Sequence, residues 1–194
     1  DGEYKLASFV DDQRMNRLYE KFILEYYRRE HPQLRASASF IDWALDDGMS
    51  EGLPAMRSDI TLSAGGRVLI IDAKYYKSTM QSNFDKRTVH SGNLYQIFAY
   101  VKNKQAVLER VGESVEVSGM LLYAATDEEV QPDVTYRMSG NQIGVRTLDL
   151  DRPFEEIRAQ LDGIVEAHFP RGDPRAVGRD RRHAHVPVSF GVVR

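Results

Sequence analysis

Cysteine is absent from all 194 residues. That excludes disulfide bonds, thiol catalysis, thiolate-bound zinc and cysteine-held iron–sulfur clusters. It also fits a reducing compartment, so a cytoplasmic location is expected. No apolar run approaches the roughly 18 residues that would mark a membrane-spanning helix, and no membrane contact is expected. The pattern Gly-x-x-x-x-Gly-Lys-Ser/Thr is missing too, so P-loop nucleotide hydrolysis does not reside in these residues. There is no internal repeat. The sequence begins with Asp1 rather than Met, which leads us to expect a fragment or a processed product.

What is present is ordinary for a globular protein, at 42% hydrophobic and 28% charged residues, and the length suits one domain with a real core. The charge is unevenly spread. Arg171 to Arg194 carries a net +4, which leaves −7 for the first 170 residues of a chain at −3 overall. Within that acidic body, Arg67 to Lys104 sums to +5, from Arg67, Lys74, Lys77, Lys86, Arg87, Lys102 and Lys104 against Asp72 and Asp85. Such a zone is either a solvated basic face or an attraction for phosphates.

Helical spacing of Leu18, Phe22 and Tyr26 predicts a helix over Asp11–Glu30, capped by Asp11 or Asp12 and ended before Pro32. "FIDWAL" reads as a candidate strand and "DDGMSEG" as a loop. Ser58–Tyr76 reads as a hairpin about Gly65-Gly66. The unbroken apolar run Val68–Ile71 makes its second strand central and covered on both faces. Ser78–Asn93 is polar and long, hence a functional loop or a short helix. A helix over Leu94–Arg110 follows, with Leu94, Ile97, Phe98 and Val101 as its apolar face. Val115–Ala124 is a strand, a second hairpin turns at Ser139-Gly140-Asn141, and Pro153–Phe169 is a helix striped by Phe154, Ile157, Leu161 and Ile164. This order predicts an α/β domain, an α+β mixed sheet flanked by helices, over residues 1–170. Residues 171–194 form an Arg-rich tail, expected to be extended or poorly ordered.

The chemistry concentrates in "RSDITLSAGGRVLIIDAKYY". A two-residue turn at Gly65-Gly66 puts Ala64 opposite Arg67, and by the same register Asp59 falls opposite Asp72. Opposed side chains lie roughly 5 Å apart at Cβ, where like charges destabilise, so a cation between them is expected. Lys74 shares the face of Asp72, two residues away. Two carboxylates and an ammonium on one face suit metal-assisted phosphodiester hydrolysis, with Asp59, Asp72 and the main-chain carbonyl of Ala73 holding Mg²⁺. Glu20 on the first helix is the third acid candidate; its alternative is a surface glutamate paired with Lys21 or Arg17. Gln96 and Tyr100 are either supporting groups near scissile phosphate or a face packed on the sheet. His90 is a phosphate contact or plain surface.

These residues, in this order, resemble the PD-(D/E)xK nuclease superfamily: Glu20 on the first helix, Asp59 at the start of a strand, and "DAK" ending the next. Within it, "MNRLYEKFILEYYRREHP", "RSDITL", "VLIIDAKYY" and "NLYQIFAYV" are similar to the catalytic domain of McrC-type endonuclease subunits of modification-dependent (5-methylcytosine) restriction systems, over roughly residues 11–170. The resemblance implies a restriction-endonuclease-like PD-(D/E)xK core and an active site of Glu20, Asp59, Asp72 and Lys74. It places Gln96 and Tyr100 in a supporting Gln-x-x-x-Tyr motif. Beside that motif, Tyr75 and the basic residues Lys77, Arg67, Lys86 and Arg87 are further candidates for supporting or DNA-binding roles. The resemblance also implies Mg²⁺-dependent cleavage of double-stranded DNA, with Mn²⁺ as a substitute, and an AAA+ GTPase partner of the McrB type; a homo-oligomer in the active complex stays open. Ser58 stands where the superfamily has proline, and an N-terminal motor-engaging region is not recognisable here. Two alternatives remain: a stand-alone repair or recombination nuclease of the same superfamily, and a non-catalytic DNA-binding or docking module.

Overall fold

The computed structural model describes residues 2–75, 80–83, 86–126 and 131–170; the side chains of 2–10, 80–83 and 86–88 are not described. Ten strands and three helices are found among these residues. Six strands form one mixed sheet in the order β1-β4-β5-β8-β10-β9. In it β1 (Arg35–Ser37), β4 (Ile60–Ala64) and β5 (Arg67–Lys74) run antiparallel to one another in turn. β5, β8 (Glu116–Ala124) and β10 (Asn141–Leu148) are parallel, and β9 (Val134–Met138) closes the edge antiparallel to β10.

The helices cover both faces. α1 (Gly2–Glu30) and α3 (Phe154–His168) share one side, where Tyr19, Ile23 and Tyr27 pack with Leu69, Ile71, Leu122 and Leu161. α2 (Ser91–Arg110) covers the other, with Ile97, Tyr100 and Val101 against Val68, Ile70, Leu121 and Tyr123. Alternation along β5 thus sends Leu69, Ile71 and Ala73 towards α1, and Val68 and Ile70 towards α2. Leu69, Ile70 and Ile71 are all fully buried, each stabilising the fold by roughly 1.5–3 kcal/mol. A continuous apolar run is what a strand buried on both faces requires.

Both hairpins turn where expected. Gly65 and Gly66 take φ of +53° and +74°, and Ser139 and Gly140 take +47° and +90°, the left-handed pair that a two-residue turn between twisted strands needs. Gly119 serves packing instead. A Cβ there would lie 2.7 Å from Val101 Cγ2 and 2.8 Å from Ile97 Cγ1, so its bare backbone is what lets α2 lie close on the sheet.

Several expectations are corrected. α1 starts at Gly2, so Asp11 and Asp12 lie inside it and do not cap it. Its buried stripe is Tyr19, Ile23, Tyr26 and Tyr27, while Leu18 is 60% exposed. Phe98 is absent from the core beneath α2 and Tyr100 takes that place, and Phe154 is exposed at the start of α3. "FIDWAL" contributes only β2 (Phe40–Ile41), paired with β3 (Met56–Arg57). The expected loop or helix over Ser78–Asn93 contains a hairpin, β6 (Met80–Asn83) with β7 (Lys86–Val89). The Arg-rich tail lies outside the described residues. No helix among the described residues is long and apolar enough to cross a membrane.

Candidate active site

The site forms where β4 begins and β5 runs on past it. The ladder between them keeps the expected register, Ala64 with Arg67 through Ile60 with Ile71. It stops there. Asp59 sits in a bend one residue before β4 rather than facing Asp72 as a ladder pair. Its side chain continues the ladder instead: Asp59 Oδ2 accepts the Ala73 N–H at 2.9 Å. Because a strand residue directs its N–H and C=O to the same side, the Ala73 carbonyl also leaves β5 on the side of Asp59.

Asp72 and Lys74 lie on the α2 face of β5, beside Leu121 and Tyr123 of β8 in register. Asp72 is 3% and Lys74 14% exposed, and Lys74 Nζ donates to Asp72 Oδ1 at 2.9 Å. The other oxygen, Asp72 Oδ2, is buried and no donor reaches it, while the Asp59 carboxylate lies close enough that only a shared proton or a cation relieves the pair. An orphaned carboxylate oxygen in the interior costs on the order of 1–3 kcal/mol or more, so its retention needs a reason. Burial pushes the Asp72 carboxyl up to about 7, with Lys74 opposing and the charge of Asp59 adding to the rise. Asp59 is raised too, by burial first, against the pull of Lys74 and the Ala73 N–H.

Glu20 reaches this end of the sheet from α1. Asn16, one turn earlier, bridges helix and strand: its Nδ2 donates to Glu20 Oε1, and its Oδ1 accepts the Tyr75 N–H at 2.9 Å. Tyr75 itself turns to the α1 side, its ring 6.1 Å from that of Tyr19. Burial and the charge of Asp59 raise the Glu20 carboxyl, while Lys74, Arg17 and Arg57 lower it. Even so, no three acidic or histidine side chains among the described residues stand close enough to hold a metal as they are. The aspartates form the core of the site, and Glu20 borders it. The donors there are hard oxygens, with a buried one unpartnered, and this is the set a divalent cation such as Mg²⁺ takes.

Gln96 and Tyr100 are bonded to each other, Nε2 to hydroxyl at 2.9 Å, and Tyr100 is packed into the core under α2. Arg67 is set apart. It stands at the opposite end of β5, roughly 16 Å away at strand rise, in an ion pair with Glu116 at 3.0 Å. Lys102 likewise bonds Ser139 and Asn141 at that far end, so the basic segment does not gather beside the acids as one face. Lys77 lies outside the described residues; Lys86 and Arg87 lie on β7 with their side chains outside them.

Other cations take that position. A cleft of about 380 Å³ beside the acids is lined by Glu20, Asp59, Ser58, Arg17, Lys21 and Arg57. The i, i+4 spacings of Arg17–Lys21 and Asn16–Glu20 were the available signals for the α1 contribution. Arg57 had none, since its place depends on how β3 enters β4. Ser58, in the proline position, is buried: its N–H donates to the Ser39 carbonyl at 2.9 Å and its hydroxyl lies 2.8 Å from that of Thr61. Proline could make neither contact.

A mixed sheet between helices, with acids at the open end of its central strands, is a restriction-endonuclease-like fold. The model of the family described as McrBC 5-methylcytosine restriction system component matches residues 2–124. The Type IV methyl-directed restriction enzyme EcoKMcrBC of Escherichia coli (strain K12) is 31% identical over 172 residues, which cover 87% of this chain and 47% of that protein. The chain thus belongs to the McrBC 5-methylcytosine restriction system component family, and it spans about half the length of that curated relative.

Proposed function

We propose that this chain is the nuclease domain of a McrBC-like, modification-dependent restriction system, a Mg²⁺-dependent endonuclease cutting phosphodiester bonds in double-stranded DNA. The observation that carries this reading is the buried, unpartnered Asp72 Oδ2 beside Asp59, with Lys74 on the other oxygen. Asp59, Asp72 and the Ala73 carbonyl are the residues to hold the ion, with Glu20 as a third acid at its border. Bound there, Mg²⁺ (or Mn²⁺) supplies Lewis-acid polarisation of the phosphoryl group and lowers the pKa of a water.

The protein's own groups do the rest. The Lys74 ammonium, mostly withdrawn from water, stabilises charge that develops on the phosphoryl oxygens. Its bond to Asp72 keeps it aimed there rather than free in solvent. Asp59 is fixed by the Ala73 N–H, so the two acids need little rearrangement. Asn16 holds Glu20 against the end of β5. Motor activity and recognition of the modified base fall to an AAA+ GTPase partner of the McrB type, in the cytoplasm.

The test is cleavage of methylated duplex DNA by the assembled complex in Mg²⁺. Asp72→Ala and Lys74→Ala should each lower the rate by on the order of 10²-fold or more. Cleavage at the unaltered rate by both variants would end the proposal.

A further inference from the structure

Arg17, Lys21 and Arg57 meet in the cleft that also contains Glu20 and Asp59. Arg17 and Lys21 stand one turn apart on α1, so their side chains project from one helix face. Arg57 comes from the other wall, at the end of β3, its guanidinium 5.7 Å from the ring centre of Phe40. All three are exposed. Several other arginines of the described residues are tied up at the surface, among them Arg110 on Asp46 at 2.6 Å, Arg152 on Asp149 at 2.8 Å and Arg28 on Glu25 at 2.8 Å. The cleft cations form no such ion pair among the described residues, although Glu20 lies near enough to feel Arg17 and Arg57. Glu20 and Asp59 offset part of this charge from a distance, Arg57 acting on both acids and Arg17 on Glu20, and three cations against two acids leave room for anions from outside the protein.

We infer that Arg17, Lys21 and Arg57 form a clamp for backbone phosphates of the DNA strand entering the site, a step that rests on the nuclease reading above. The spacing of the parts favours a chain of phosphates over a single anion, since the cations lie on two walls of an open cleft of about 380 Å³. Arginine offers its planar donors to phosphate in pairs, and Phe40, itself 67% exposed, lies beneath the Arg57 plane and restrains it. The clamp reads no base, so it holds methylated and unmethylated DNA alike. It delivers the scissile bond to Asp59 and Asp72, while sequence selection stays elsewhere.

The experiment uses the complete complex with Arg17→Gln, Lys21→Gln and Arg57→Gln, and Arg152→Gln, which does not line the cleft, as a charge control. Cleavage is measured against DNA and salt concentration, and binding of the same duplex is measured with Ca²⁺ in place of Mg²⁺. Each clamp variant should raise KM by about tenfold and flatten the slope of log K against log salt by about one. The kcat and the preference for methylated DNA should stay unchanged, and Arg152→Gln should match wild type. Wild-type cleavage with unaltered slopes in all three variants would overturn the clamp and leave the nuclease reading standing. Wild-type binding with flattened variant slopes but no cleavage would do the reverse. Neither binding nor cleavage by wild type would overturn both.

Discussion

Replacing Asp72 by Asn should stabilise the metal-free protein while removing its response to divalent ions. Burial raises the Asp72 carboxyl from 3.8 to about 7. A carboxyl raised in this way binds its proton more tightly in the folded than in the unfolded chain. Its contribution to stability is therefore complete below pH 3.8 and is lost as the pH climbs through about 7. About three units at 1.36 kcal/mol each set an upper limit on the order of 4 kcal/mol, which the pairing with Asp59 reduces. Asn keeps an oxygen to accept from Lys74 and carries no charge to desolvate. Thermal melts in chelator at pH 8 should place Asp72→Asn roughly 5–15 °C above wild type. Between pH 5 and 8 the wild-type midpoint should fall more steeply than that of the variant. Adding Mn²⁺ should raise the wild-type midpoint, because an ion that binds only the folded state stabilises it by mass action, and should barely move the variant. A variant that melts below wild type at pH 8, or that gains equally from Mn²⁺, would refute the argument that this oxygen waits for a cation.

Two further predictions test how the scaffold holds the site. Ser58→Pro, which restores the superfamily's motif residue, should destabilise by about 2 kcal/mol, because it removes the N–H donated to Ser39 and the hydroxyl beside Thr61; an unchanged urea midpoint would show those contacts to be idle. Gly119→Ala should cost about 1–3 kcal/mol by forcing α2 off the sheet, since its Cβ would meet Val101 and Ile97 below 3.0 Å. A variant as stable as wild type in urea would mean that α2 is not so closely seated.

The sequence was most legible where a local rule carried it. Gly65-Gly66 can only be a tight turn, and a two-residue turn fixes the register of every pair before it, which located Asp59 and Asp72 near each other. The run Val68–Ile71 announced a strand buried on both faces because no other element hides four consecutive apolar residues so simply. Helix stripes were read with the right period and an incomplete phase. Ile97, Val101, Ile157, Leu161 and Ile164 are buried as the spacing of their helices requires, but Leu18, Phe98 and Phe154 stay out of the core, and Tyr19 and Tyr100 enter it instead. Periodicity gives a face; which row touches a partner depends on where the partner lies.

What the sequence determined by itself was chemical identity and local order: two acids and a lysine at the close of a buried hairpin, and the turn that brings them near. Tertiary structure decided everything that required distant segments to meet. It carried Glu20 and the cations of α1 to the end of β5, brought Arg57 to the opposite wall of the cleft, and exchanged a ladder pair at Asp59 for a side-chain bond to Ala73. The physical reason is that hydrogen-bond register and turn geometry act over a few residues. The field around a carboxylate, by contrast, is summed over every charge and every dry surface that the fold brings within reach.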